Sequence, residues 1–214
     1  MQLIKYFLLS CGLFIFALSA LLLAGCQSSQ NQSAGKTTES AMVPPVAPAA
    51  PAVAVPAAEP AAAVPPPVHI KAGSTDSFKD SEGNVWLPDQ GFADGETVER
   101  TDLDIANTKT PAIYQSERYS MTAFSYPVPN GKYIVKLHFC ETYDGITGPG
   151  QRVFSFNVEG QEFKDFDVWV KAGGPLRAYV QIVNVEVTDG KLDISFTPNV
   201  ENPQINGIEI LPAP

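Results

Sequence analysis

The chain of 214 residues is short of metal ligands, of basic runs and of helical periodicity. Its three cysteines, Cys11, Cys26 and Cys140, are too scattered for a zinc cluster. Its two histidines, His69 and His138, are too few for a histidine-rich metal site. Over residues 68–214, 12 Lys and Arg stand against 21 Asp and Glu, so the whole net charge of -9 lies there with no basic run. Nucleic-acid affinity comes from Lys and Arg neutralising phosphates, and this balance argues against such a partner. No window of residues 68–214 sustains a 3.6-residue apolar period, which argues against a helical domain. Aromatics are plentiful: 17 of the 21 Phe, Trp and Tyr fall in these 147 residues. A domain of that size buries roughly 68–70% of its unfolded surface.

The first 67 residues read as a leader and a tether. Residues 1–25 carry one charge, Lys5, followed by an apolar run from Tyr6 to Ala24. The run is about as long as the shortest membrane helix. Its end, Leu23-Ala24-Gly25-Cys26, resembles a bacterial lipobox. That resemblance implies removal of residues 1–25 as a signal peptide and acylation of Cys26 as the new N terminus. Each buried methylene of such a lipid adds about 0.8 kcal/mol to membrane attachment. Gln27 follows the cysteine where Asp is absent, which by the same resemblance favours sorting to the outer membrane. Residues 26–67 read as a disordered linker, rich in Ser, Gln, Thr and Asn through residue 40. The 27 residues of 41–67 hold 9 prolines and 11 alanines. At ~3.1 Å per residue in polyproline II they reach roughly 80 Å. The expectation is one domain, 68–214, lifted from a membrane of the cell envelope on a semi-rigid spacer.

Within that domain the apolar residues alternate. Tyr133, Val135, Leu137 and Phe139 share one face, after a turn at Pro129-Asn130-Gly131. Val153–Val158 forms a second run, closed by Glu159-Gly160. Val183, Val185 and Val187, then Asp189-Gly190, then Leu192, Ile194 and Phe196 predict a hairpin with a type I′ turn. Ile205, Ile208 and Ile210 mark a last strand with Gly207 inside it. Short strands at this spacing predict an all-β fold, an antiparallel β-sandwich. Cys140 lacks a partner within the domain and reads as a small buried hydrophobe. His138 reads as a satisfied structural histidine, because no nucleophile motif accompanies it.

The polar and aromatic residues that interrupt the strands are where chemistry gathers. Tyr114-Gln115-Ser116-Glu117-Arg118-Tyr119 packs two tyrosines, a carboxylate and a guanidinium into six residues. Glu141-Thr142-Tyr143-Asp144 ends a strand and opens a Gly- and Pro-rich loop, and Glu201-Asn202-Pro203 precedes the last strand. Sugars need flat apolar rings against their C–H faces and planar polar groups against their hydroxyls, and tyrosine offers both an apolar body and a polar tip. Glu117, Glu141 and Asp144 also permit a glycosidase, whose acid and base must stand about 5–9.5 Å apart across one bond. Asp76, Asp80, Glu82, Asp102 and Asp104 offer oxygens to a calcium ion. Asp80-Ser81-Glu82-Gly83-Asn84 lacks EF-hand spacing, however, and reads as a turn. No metal or cofactor is expected.

Taken in order, several segments resemble the malectin domain family of carbohydrate-binding β-sandwiches. They include Gly83-Asn84-Val85-Trp86-Leu87, Asp104-Ile105-Ala106-Asn107-Thr108 and Tyr114-Gln115-Ser116-Glu117-Arg118-Tyr119. Val128-Pro129-Asn130-Gly131-Lys132-Tyr133, Leu137-His138-Phe139-Cys140-Glu141 and Gly150-Gln151-Arg152-Val153-Phe154 follow, and the series closes on Glu201–Ile210. The resemblance covers about 68–211 and implies a lectin-like fold without a catalytic centre. The family's animal lectin recognises α-linked glucose disaccharides through aromatic residues and an aspartate. By that resemblance the carbohydrate-binding residues are Tyr119 and Tyr143, which stack on sugar, Glu201, Glu117 and Asn202, which supply hydrogen bonds, and Asp144 beside Tyr143. Three departures stand out: Asp144 occupies an aromatic position, Glu201 replaces the aspartate, and the region of Thr97 and Val98 lacks a further tyrosine. The function expected is a membrane-tethered, non-catalytic glycan-binding module. The alternative is an envelope module that holds a protein partner with the same loops.

Overall fold

The computed structural model describes residues 64–214; the leader, Cys26 and the linker through residue 63 lie outside the described residues. In chain order the strands are β1 (Val68–Lys71), β2 (Phe78–Lys79), β3 (Val85–Trp86), β4 (Phe92–Ala93), β5 (Glu96–Glu99) and β6 (Ser116–Tyr119). They continue with β7 (Ala123–Pro127), β8 (Gly131–Phe139), β9 (Val153–Val158) and β10 (Gln161–Phe166), then helix α1 (Val168–Ala172). The last four are β11 (Tyr179–Val187), β12 (Lys191–Val200), β13 (Gln204–Ile205) and β14 (Gly207–Pro212). A four-stranded sheet, β1-β14-β8-β11, faces a five-stranded one, β10-β9-β12-β7-β4, and all their named pairings are antiparallel. A small sheet, β13-β6-β5, and the pair β2-β3 complete the fold. The expected antiparallel β-sandwich is the structure.

Period-2 alternation decides what lies inside. Tyr133, Val135, Leu137 and Phe139 of β8 are buried, as are Phe154, Phe156 and Val158 of β9. They meet in one core between the sheets, where Phe139 approaches Phe154, Phe156 and Phe166 with ring centroids 4.9–6.1 Å apart. Each fully buried Phe stabilises the fold by roughly 1.5–3 kcal/mol relative to its exposure. The opposite face of β8 carries His138, whose Nδ1 pairs with the Tyr114 hydroxyl and whose Nε2 pairs with Glu209, both at 2.8 Å. His138 is therefore a satisfied structural histidine. Burial opposes ionisation of Glu209, but the bond from His138 and the charge of Lys136 hold its carboxyl well below the usual range. Cys140 is fully buried, and that burial pushes its thiol up to about 12.

The expected Val183–Phe196 hairpin does not form. β11 pairs with β8, placing Val183 opposite Val135, whereas β12 pairs with β7 and β9 in the other sheet. Both runs bury one face, but alternation specifies an inward face and not the sheet that supplies it. Asp189-Gly190 is thus a corner between layers, and only Gly190 of the two has positive φ (84°), so a type I′ turn is ruled out there. Asn130 holds the corner by donating to Thr188 O at 2.9 Å and accepting from Gly190 N at 2.8 Å. The type I′ geometry occurs instead at Glu159 (φ 48°) and Gly160 (φ 83°), joining β9 to β10. Helix α1 was not legible because five residues are too few to set a 3.6-residue period. It starts on Asp167, whose side chain accepts from Val170 N, and stops at Gly173 in the left-handed region.

Asn206 fixes the small sheet to the sandwich. It lies between β13 and β14, fully buried. Its Oδ1 accepts from Cys140 N at 2.7 Å, and its Nδ2 donates to Ser116 O at 2.9 Å. Its backbone N–H reaches His138 O, and its carbonyl accepts from Ala72 N.

The Asp80–Asn84 turn is present as expected. The Asp80 carboxylate accepts from Glu82 N, from Asn84 N and Nδ2, and from the indole Nε1 of buried Trp86, all at 2.9–3.0 Å. Partial desolvation pushes its pKa up, but the bonds from Trp86 and Asn84 outweigh it and leave the carboxyl at about 2. Because the folded-state value is depressed, this stabilisation is complete above the ordinary value of 3.8 and disappears as pH falls towards about 2. Asp80→Ala should destabilise the domain by about 1–3 kcal/mol at pH 7 by orphaning the Trp86 indole. Urea unfolding at pH 7 and at pH 2 checks this: the gap between wild type and variant should shrink at the lower pH.

Candidate functional site

The small sheet supplies the first wall of a cleft. Glu117 and Tyr119 are two residues apart on β6 and so share a face, and Val98 of β5 stands opposite Glu117. Two glycines with positive φ let other backbones approach this strand. A Cβ on Gly73 would lie 2.2 Å from Glu117 O, and one on Gly95 would lie 2.3 Å from Tyr119 O. The alternate β6 residues are held by their side chains: Ser116 Oγ donates to Ala72 O at 2.7 Å, and Arg118 reaches both carboxylate oxygens of Asp89.

The second wall comes from Tyr143, just after β8, and the third from Arg152 and Glu201. Together Val98, Arg100, Glu117, Tyr119, Tyr143, Arg152 and Glu201 line a cleft of about 290 Å³. That volume lies at the lower end of small-molecule sites, roughly 300–1,000 Å³. Tyr143 is 45% exposed, and its ring lies against Gly145, where a Cβ would stand 2.4 Å from ring atom Cε1. The glycine therefore sets the ring's position.

The floor is charged yet internally neutralised. Glu117 Oε1 accepts from Arg100 at 2.9 Å and Oε2 from Thr142 Oγ1 at 2.7 Å, while Thr142 also accepts from Arg100. Beneath it, Arg152 and Glu141 are 5% and 1% exposed and pair at 2.8 Å. Arg152 Nη1 also donates to Asn202 O at 2.6 Å, and Glu141 Oε1 accepts from Tyr143 N at 3.1 Å. Burial pushes the Glu141 carboxyl above its ordinary value, with Arg152 opposing. Each carboxylate oxygen of the two glutamates thus accepts a hydrogen bond from within the protein.

This geometry sits inside the stretch that matches a family model: residues 67–208 match the malectin domain. The chain belongs to the malectin family. Malectin-B of Xenopus laevis is 31% identical over 93 residues, covering 42% of this chain and 33% of that protein. The kinesin-like protein KIN-14R of Arabidopsis thaliana is 32% identical over 154 residues, 69% of this chain and 14% of its own. The chain thus spans a third or less of these relatives. A β-glucuronidase of Bacteroides uniformis shares the fold with a TM-score of 0.62 at 20% identity, over 69% of this chain and 18% of that one. A plant complex of the peptide RALF23 with FER and LLG2 does so with a TM-score of 0.60 at 20% identity, over 68% and 48%.

Of the residues singled out in this malectin domain from its sequence, Tyr119, Tyr143, Glu117 and Glu201 converge on the cleft. Asp144 does not line it; it faces a neighbouring apolar cleft. Asn202 stands at the rim, where its carbonyl holds Arg152 and its side chain donates to Glu201 Oε1 at 3.3 Å. Arg100, Arg152 and Val98 were missed. Arg152 had a legible signal, because it is in phase with buried Phe154 and Phe156, and a charge on an inward face requires a partner.

Breaking the buried pair leaves one charge uncompensated. Arg152→Met or Glu141→Met should each lower stability by about 3–5 kcal/mol, and the double variant should recover much of that loss. Guanidinium unfolding of the four proteins measures the coupling; additive losses in the double variant would contradict it.

Proposed function

We propose that the malectin domain binds a glycan in the Tyr119–Tyr143 cleft without chemical turnover, at the cell envelope, on a chain anchored by lipid at Cys26. The observation that carries this reading is the convergence of two tyrosines from distant segments on one cleft of about 290 Å³ with a prepaired polar floor. Aromatic rings stack on the C–H faces of a sugar. On this reading Glu201, Arg100 and Glu117, which line the cleft, supply hydrogen bonds to its hydroxyls. Family membership supports a carbohydrate-binding module, and α-glucosides are the first ligands to test. A non-catalytic role is supported by Glu117 and Glu141, whose oxygens are committed to Arg100, Thr142 and Arg152. The lipobox and the Pro- and Ala-rich linker support an envelope location, at the outer membrane.

Two observations favour a second reading, a protein partner held by the same loops. Asp144 replaces an aromatic and faces away from the cleft, and one solved relative of this fold was determined with a peptide. Recovery of one stoichiometric protein from solubilised envelopes, unaffected by added sugars, would select this reading.

Glycan-array and calorimetric titration, including maltose and nigerose, test the first reading. Tyr119→Ala and Tyr143→Ala should each weaken binding by at least about fivefold, using ~1 kcal/mol or more per aromatic contact, with unfolding midpoints nearly unchanged. Wild-type affinity in both variants would sink the assignment. Gly145→Ala should weaken binding too, because its new methyl displaces the Tyr143 ring.

A further inference from the structure

Tyr143 has a cleft on each side. The second, about 370 Å³, is lined by Leu103, Ile146, Trp169, Pro175 and Leu176, with Glu141, Thr142, Asp144 and Thr147 as its polar members. It shares only Tyr143 with the polar cleft. Three features fix its walls. Trp169 stands on α1, whose terminal turn is closed on Trp169 O by the N–H groups of Gly173 and Gly174. Ile146 is buried, and Ile146 N donates to Tyr143 O at 3.1 Å, which binds the loop to the dividing tyrosine. Leu176 holds φ at 51°, a left-handed conformation that strains a bulky residue. It is kept there by bonds from Leu176 N to Glu141 O and from Ala106 N to Leu176 O. The strained wall of the apolar cleft is thus bonded to the residue beneath the polar one.

The geometry points to a second subsite, in which the apolar cleft takes the apolar aglycone of a glycoside whose sugar occupies the Tyr119–Tyr143 cleft. This rests on the glycan reading above. A further sugar ring fits the lining less well, since its hydroxyls need free planar amides or carboxylates: Glu141 is already paired with Arg152 and Tyr143 N, and Asp144 is the one other carboxylate of the lining. An aryl or short alkyl group would bury against Trp169, Pro175 and Leu176 while the glycosidic bond passes the exposed edge of Tyr143. The ligand class is therefore an amphipathic glycoconjugate, with sugar and apolar group on opposite sides of one tyrosine.

The test compares methyl, phenyl and hexyl α-glucosides and maltotriose by calorimetry on the full-length protein, with NMR of the two indole N–H signals, Trp86 and Trp169. The phenyl or hexyl glycoside should bind about tenfold more tightly than the methyl one, as burial of an apolar group at 20–33 cal/mol per Å² implies. Trp169→Ala should remove that gain and leave the methyl glycoside's affinity as it was. The Trp169 signal should shift saturably with the phenyl glycoside and with phenol alone, while the methyl glycoside leaves it in place. Equal affinities for all three glycosides overturn the subsite while the glycan reading stands. A gain for maltotriose alone, lost in Trp169→Ala, assigns the cleft to sugar and overturns the aglycone. If no glycoside binds, the glycan reading fails and the aglycone subsite with it, whether or not phenol shifts Trp169.

Discussion

A single buried amide joins the two parts of this molecule that matter most. Asn206 has every polar atom of its side chain engaged, and its main chain bridges β1 and β8 as well. An unpaired amide in such surroundings costs several kcal/mol, so the side chain fits only where all these partners are present together. Those partners are the ends of β1 and β8 and the start of β6. The sandwich has its own reasons to form, through burial of its aromatic core. The small sheet does not, having too few residues to bury a face of its own. Asn206 makes the second depend on the first, and so the wall carrying Glu117 and Tyr119 has a fixed place relative to the loop carrying Tyr143.

The charges in the site follow a related logic. Two arginines and two glutamates gather beneath the cleft, yet each is matched within hydrogen-bonding distance. Their fields largely cancel, and the network presents oriented N–H and O groups without an uncompensated charge. Such a floor suits a neutral polyhydroxylated ligand better than an ion. The reorganisation needed on binding is small because the donors are already held.

Much of this was legible in the sequence, but unevenly. The inward residues of β8 and β9 followed from alternation, and the Asp80–Asn84 turn from its composition. The assignment of β11 and β12 to different sheets did not, because the same alternation serves a hairpin and a corner between layers. Tyr119 and Tyr143 were found through ordered motifs that resemble a family. Asp144 was misplaced for a simple reason: the chain turns at Tyr143–Ile146, and directions of side chains in a turn obey no period. Arg100 escaped notice because its partners, Glu117 and Thr142, lie 17 and 42 residues away.

The pairing of β1 with β14 carries a consequence for how such a domain is used. Val68 stands opposite Ile210 in an antiparallel ladder, so the chain enters and leaves the sandwich at neighbouring points. A unit whose entrance and exit adjoin can be spliced into a longer polypeptide, or hung from its end, without disturbing what lies on either side. The same fold accounts for 18% of a glycosidase chain and 48% of a chain in a plant receptor complex. Here the flanking partner on one side is a stretch of alanine and proline.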